Sequence, residues 1–205
     1  MKIALGQVQV TSGKIIENMA EISNMIIEAK KQGADLIVFP ELAISGYFLQ
    51  DRWTDDEWVN FCTSQNEVIK SLSNDIGIIW GNVSSHYGTL SMKGTDGRNA
   101  RFNSAFFAQN GEWVLKDSGV AGQYVKHLLP QYRVFDDNRF FTSAFDIPLK
   151  EENMFSPFLF HYNNEIVRIS IQICEDMWND DYPMNPTAEA IEHQVDFIIN
   201  ISSSP

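Results

Sequence analysis

What the sequence lacks narrows it first. Only two cysteines occur in 205 residues, Cys62 and Cys174, too few for a disulfide framework. Cys62 falls in the helix-patterned stretch "DDEWVNFCTSQNEVIKSL", where a buried, inert thiol is the ordinary explanation, and no bridge between the two is expected. Four scattered histidines (His86, His127, His161 and His193) with no CxxC or HExxH spacing give a zinc site nothing to stand on. Lysine and arginine number 15 against 27 acidic residues, the formal net charge is −12, and no basic cluster stands out, so nucleic acid is not an expected partner. No apolar run approaches the roughly eighteen residues of a membrane span. The N-terminus "MKIALGQVQV" alternates like a strand instead of carrying a signal-peptide core, which points to a cytoplasmic protein without a membrane partner. No linker, low-complexity segment or charge run marks a boundary, so residues 1–205 read as one domain, and 44% hydrophobic residues suffice for one substantial core.

What is present is a regular alternation of elements. After the opening strand, "IIENMAEISNMIIEAKKQG" puts Ile16, Met19, Ile22, Ile26 and Ala29 on one helical face, with Gly33 where the helix should stop. The continuous apolar run "ADLIVFPE" has the pattern of a strand buried on both faces of a layered α/β protein. A second helix is predicted from about Asp55 to Leu72, then strands "IGIIWGNVSS", "FNSAFFAQ" and "EWVLKD", the last two joined by a turn at Asn110-Gly111. From Gly119 to Phe145 the periodicity is lost, yet the aromatic residues Tyr124, Tyr132, Phe135, Phe140 and Phe141 argue for order and for function. A hairpin ("SPFLFHY", "EIVRISIQIC"), a helix over Pro186 to His193 and a buried strand "VDFIINIS" complete the chain. "KKQGADLIVFPE" and "EHQVDFIINISS" echo each other, as two similar units in one sheet or as a facing pair. The last residues, "NISSSP", lie on the lip of that strand and are expected to lead into further structure.

Three residues beside predicted strand ends could do chemistry: Glu41 after "LIVFP", Lys126 in the aperiodic stretch, and Cys174 after "ISIQI". Cys174 is followed by Glu175 and Asp176, and two carboxylates beside a thiol should raise its pKa unless a basic group answers them. Lys126 supplies that charge, and the trio reads as a nucleophile with its base. Taken singly, each has an ordinary explanation: Glu41 as a surface acid or cap, Lys126 as a solvated loop charge, Cys174 as an inert thiol.

The words around them decide. "FPELAISGY", "KHLLPQYRVFDDNRFF" and "ICEDMW", in this order, resemble the three signature regions of the nitrilase (carbon–nitrogen hydrolase) superfamily, and the second and third look most like the glutaminase domains of glutamine-dependent NAD⁺ synthetases. The resemblance runs from Lys2 to Pro205. It implies an α/β fold, the four-layer α-β-β-α sandwich of the nitrilase type, cut short at its C-terminal end. It also implies a glutaminase in which Cys174 attacks the glutamine carboxamide, Glu41 is general base, and Lys126 with the Glu175 backbone N–H holds the oxyanion. Tyr47, Tyr132, Glu175, Ser202 and Ser203 would line the glutamine pocket, the serines having loop capping as their alternative. Asp176 and Trp178 would brace the nucleophile's turn.

The same resemblance implies no metal and no cofactor in this domain. ATP and Mg²⁺ belong to a synthetase domain of a longer chain, for which no phosphate-binding Gly-rich loop is present here. A synthetase domain and a homo-oligomer are the expected partners, with an arginine for the glutamine carboxylate lying beyond Pro205. Two alternatives stand beside this: a free-standing amidase or nitrilase on another small amide, and a scaffold that keeps the fold without the chemistry.

Overall fold

The computed structural model describes residues 1–94, 97–120, 122–148 and 154–203. Strand β1 (Ile3–Leu5) is followed by helix α1 (Ile15–Lys31), strand β2 (Leu36–Val38), helix α2 (Asp56–Ser71) and strands β3 (Gly77–Ser84), β4 (Phe102–Gln109) and β5 (Glu112–Trp113), the order the periodicity predicts. The row Ile15, Met19, Ile22, Ile26 and Ala29 is the buried face of α1. Ile16, placed on that face by its spacing, is 68% exposed, because Ile15 begins the row that continues through Met19. The helix ends in a Schellman motif: Gly33, at φ 69°, donates to the Lys30 carbonyl, and Ala34 donates to that of Ala29. Helix α2 starts where Asp55 accepts a hydrogen bond from the Trp58 N–H (3.1 Å).

The stretch without periodicity begins as core. Residues 122–130 are all buried, and they include a three-residue strand β6 (Gln123–Val125) that pairs with β4. A one-turn helix α3 (Asp137–Phe140) follows. Strands β7 (Phe158–Tyr162) and β8 (Glu165–Ile173) form the expected hairpin, turning through Asn163 and Asn164, both at positive φ. Helix α4 (Pro186–Glu192) leads to β9 (Phe197–Ile201), which runs parallel to β8. Strand β2 keeps only Leu36–Val38 of "ADLIVFPE", and the first and fifth strands are shortened as well. The opening strand stops at Leu5 and leaves the sheet through closely spaced backbone bonds from Gln7 and Val8, and β5 keeps two residues of "EWVLKD".

Two sheets result, one in the order β1-β2-β3-β4-β5 with β6 also on β4, the other in the order β7-β8-β9. Side chains alternate across each strand, so each sheet has two working faces. Ile37, Ile78 and Trp80 meet Ile22, Ile26, Val59 and Ile69 of α1 and α2 on one side of the first sheet. Leu36, Ile79 and Phe107 on its other side meet Phe158, Phe160, Ile169 and Ile171 of the second sheet. Gln172, which alternates away from that inner core, donates to Thr187 on α4 (3.0 Å). The layers are therefore α-β-β-α.

The echo between the two halves is structural. The Asp35 carboxylate accepts the Lys2 N–H (2.5 Å) while its own N–H donates to the Lys2 carbonyl (2.8 Å). Asp196 makes the same pair of bonds with Arg168, at 2.8 Å each. In each half an aspartate clamps its strand to a parallel neighbour, and the halves lie in facing sheets rather than one.

Candidate active site

Four strand ends converge. Glu41 follows β2, Lys126 follows β6, Cys174 follows β8, and Ser202 and Ser203 follow β9. The Lys126 ammonium donates to Glu41 Oε1 at 2.9 Å and to Asp137 Oδ2 at 2.8 Å, with Glu41 and Lys126 each only 1% exposed. Burial alone would lower the Lys126 pKa, but the two carboxylates outweigh it and hold the ammonium well above its ordinary value. Burial raises Asp137, against the pull of Lys126. An ammonium has three N–H donors, so one remains for a ligand.

Glu41 is held as firmly. Its Oε1 also accepts from Asn103 Nδ2 (2.7 Å) and its Oε2 from the Ser203 backbone N–H (3.0 Å), which ties the ends of β2 and β9 together. Gly81 in β3 lies beneath it: a Cβ there would stand 2.4 Å from the Leu42 nitrogen and 2.6 Å from the Glu41 Cα. The glycine is what lets the Glu41 segment lie against the sheet.

Cys174 opens a 3₁₀ turn, Cys174–Met177, at φ 47°, a left-handed conformation that costs a side-chain-bearing residue roughly 1–3 kcal/mol. Asp176, completely buried, over-determines that geometry. Its Oδ2 accepts the Ile173 N–H (3.0 Å) and the Tyr124 hydroxyl (2.8 Å), and its Oδ1 accepts the N–H groups of His127 (3.0 Å) and Leu128 (2.9 Å). One carboxylate thus staples the Cys174 turn to the segment that carries Lys126. Burial pushes Asp176 up to about 6, against those hydrogen bonds. The two acids beside the thiol therefore have their own partners, Asp176 in this staple and Glu175 in two tyrosine hydroxyls, Tyr132 at 2.8 Å and Tyr182 at 3.2 Å. Cys174 lies within electrostatic reach of Tyr132.

The predicted residues are largely gathered. Glu41 and Lys126 are in direct contact, Ser203 touches Glu41, and Tyr132 touches Glu175. Tyr47 stands beside the lysine, its hydroxyl bonded to Asp137 Oδ1 and its ring centroid 6.0 Å from Lys126 Nζ. Behind Tyr47 and Asp137 a cavity of about 320 Å³ is lined by Phe48, Trp53, Val134 and Arg139 and by none of Glu41, Lys126 or Cys174. Trp178 is 65% exposed and braces the turn through its backbone N–H, which donates to the Glu175 carbonyl (2.8 Å). Cys62 is a free, buried thiol, pushed up to about 12 by burial, and Cys174 is likewise unbridged. Among the described residues there is no cluster suited to a metal ion, and no helix is long and apolar enough to cross a membrane. Asp137, Asn103 and Tyr182 were not singled out by sequence, although Asp137 lies within the motif "KHLLPQYRVFDDNRFF" and Tyr182 within "ICEDMWNDDYPMNPTAEAI", both of which carry the resemblance.

The carbon–nitrogen hydrolase family pattern matches residues 2–202. The chain belongs to that family. Similar family members include the glutamine-dependent NAD⁺ synthetases of Synechocystis, 32% identical over 99% of this chain and 34% of the relative, and of Acinetobacter baylyi, 29% identical over 100% and 31%. Among solved structures, the glutamine-dependent NAD⁺ synthetase from Acinetobacter baumannii in complex with ADP superposes with a TM-score of 0.74 at 29% identity, covering 99% of this chain and 32% of that one. An amidase from the nitrilase superfamily of Nesterenkonia shares the fold, with a TM-score of 0.69 at 16% identity over 98% of this chain and 64% of that one. This carbon–nitrogen hydrolase chain spans about a third of the length of the curated relatives it matches.

Proposed function

We propose that this chain is the glutamine-hydrolysing part of a glutamine-dependent NAD⁺ synthetase, releasing ammonia through a thioester on Cys174. The observation that carries the reading is the buried Glu41–Lys126–Asp137 cluster, stapled through Asp176 to the turn that bears Cys174. In this reading the Cys174 sulfur attacks the carboxamide carbon as Glu41 accepts the thiol proton. The remaining Lys126 N–H and the Glu175 backbone N–H, which lies in the first turn where helical amides lack intrahelical acceptors, receive the oxyanion. Collapse breaks the carbon–nitrogen bond, Glu41 returns its proton to the departing nitrogen, and ammonia leaves. Water then attacks the thioester, giving Glu41 a proton that passes to the sulfur as glutamate departs.

Glutamine is favoured over a plain amide because Glu175 is a buried carboxylate beside the nucleophile, suited to an α-ammonium; Tyr132, Tyr47, Ser202 and Ser203 complete the proposed pocket. The wider assignment extends the same reading: a synthetase domain that takes ATP and Mg²⁺ and uses the ammonia, a homo-oligomer, a cytoplasmic location, and no cofactor or metal in this domain. The test is glutamate and ammonia formation from glutamine by the full-length protein. Cys174→Ala is expected to abolish it with an unchanged circular dichroism spectrum; undiminished turnover would remove Cys174 from the mechanism.

A further inference from the structure

Glu175 is 5% exposed, and among the described residues no lysine, arginine or histidine forms an ion pair with it. Lys126, the nearby cation, is engaged by Glu41 and Asp137. A carboxylate buried next to a nucleophile with neutral donors alone is a site still short of a positive charge. Those donors are arranged as a bracket, Tyr132 on Oε2 and Tyr182 on Oε1. Each oxygen has two acceptor positions, so one lone pair on each stays open. Both phenols are kept as donors, Tyr132 raised by its hydrogen bond to Glu175 and Tyr182 raised by burial and by the Glu175 charge.

The two tyrosines come from different places. Tyr132 follows the Lys126 segment, while Tyr182 stands in the loop between the nucleophile turn and α4. That loop is closed without the Tyr182 hydroxyl. Asn179 Nδ2 donates to Asn185 Oδ1 (3.0 Å), Asn185 caps α4 by accepting from the Ala188 N–H (2.9 Å), and the Tyr182 N–H closes on the Asn179 carbonyl (3.0 Å). The hydroxyl is therefore free to serve Glu175. The loop also carries Asp180 and Asp181 and no basic residue, which favours an approaching cation.

We infer that Tyr182 is a positioning residue for substrate selection: with Tyr132 it fixes the Glu175 carboxylate so that its open lone pairs receive an ammonium group on the amide substrate. The inference rests on the glutaminase reading and adds to it the residue that sets the preference for an amino-acid amide over a neutral or purely anionic one. A hydrogen bond to a charged group has the strength to shift binding about tenfold.

The experiment compares glutamine with 4-carbamoylbutanoate, the same chain without the α-ammonium, on the full-length protein and its Tyr182→Phe variant. The variant is expected to raise KM for glutamine about tenfold with kcat within twofold, while kcat/KM for 4-carbamoylbutanoate falls less than twofold. A parallel readout free of turnover is Cys174 alkylation, where the variant is expected to slow reaction with an ammonium-bearing diazoketone and not with its deaminated analogue. Equal losses on both substrates, or an unchanged ratio between them, would overturn the role of Tyr182 and leave the glutaminase reading standing. A full-length protein that releases no ammonia from glutamine overturns that reading and this inference with it.

Discussion

Lys126 carries one positive charge between two carboxylates, and its third N–H is what remains for chemistry. Removing the ammonium leaves Glu41 and Asp137 facing each other without a cation, so Lys126→Ala is expected to lower kcat at least about a hundredfold, the scale of a lost oxyanion donor. Asp137→Asn keeps a hydrogen-bond partner but removes one anion, and its loss in kcat is expected to be smaller, roughly tenfold. Steady-state kinetics of the two variants check the ranking, and an Asp137→Asn loss equal to that of Lys126→Ala would contradict it. At this scale the sequence was informative where a side chain belongs to a recognisable word. Glu41, Lys126 and Cys174 each sit in one. Asn103 does not, because nothing in a strand-patterned "RFNSAFF" distinguishes an asparagine that will meet a glutamate sixty-two positions away.

Strands set these side chains with very little slack. Gly81 is the clearest case, since β3 passes so close under the Glu41 segment that no side chain fits between them. Gly81→Ala is expected to displace the Glu41 backbone, destabilising the protein by about 1–3 kcal/mol, as overpacking does, and lowering kcat with it. Urea titration and ammonia release measure the two effects, and a variant that is fully stable and fully active would show the contact to be slack. The long helices were legible because their buried rows repeat over several turns and their ends carry Asp55 and Gly33. Strand β6 was not. Three residues buried on both faces show no alternation, so the element that delivers Lys126 looked like part of a loop.

Across the whole molecule, the two sheets are joined at one edge where residues 115–117 pair with β7, Leu159 donating to the Leu115 carbonyl at 2.9 Å. Lys116 is buried at that join, with the Tyr124 and Phe158 ring centroids 5.6 and 5.3 Å from its Nζ, and burial pulls its pKa from 10.5 down to about 7. Between those values the unfolded chain binds the proton that the folded chain has released, so stability from this group rises with pH from about 7 towards 10.5. Lys116→Met is expected to flatten that rise and to stabilise the protein at pH 7 by on the order of 2–4 kcal/mol. Denaturation at a series of pH values checks both, and an unaltered slope would show Lys116 to be solvated. The facing arrangement of the halves was legible only as an open choice, because repeated "ADLIVF" and "VDFIIN" patterns define the strand and its aspartate clamp but not which sheet each strand joins.

The central claim is that these strand ends form a cysteine nucleophile beside a glutamine pocket. The most direct measurement is the intact mass of the protein after exposure to the diazoketone analogue of glutamine, followed by peptide mapping. The account predicts one adduct, on Cys174, suppressed by excess glutamine and absent from Cys62. Labelling on another residue, or labelling of Cys174 that glutamine does not slow, would contradict it.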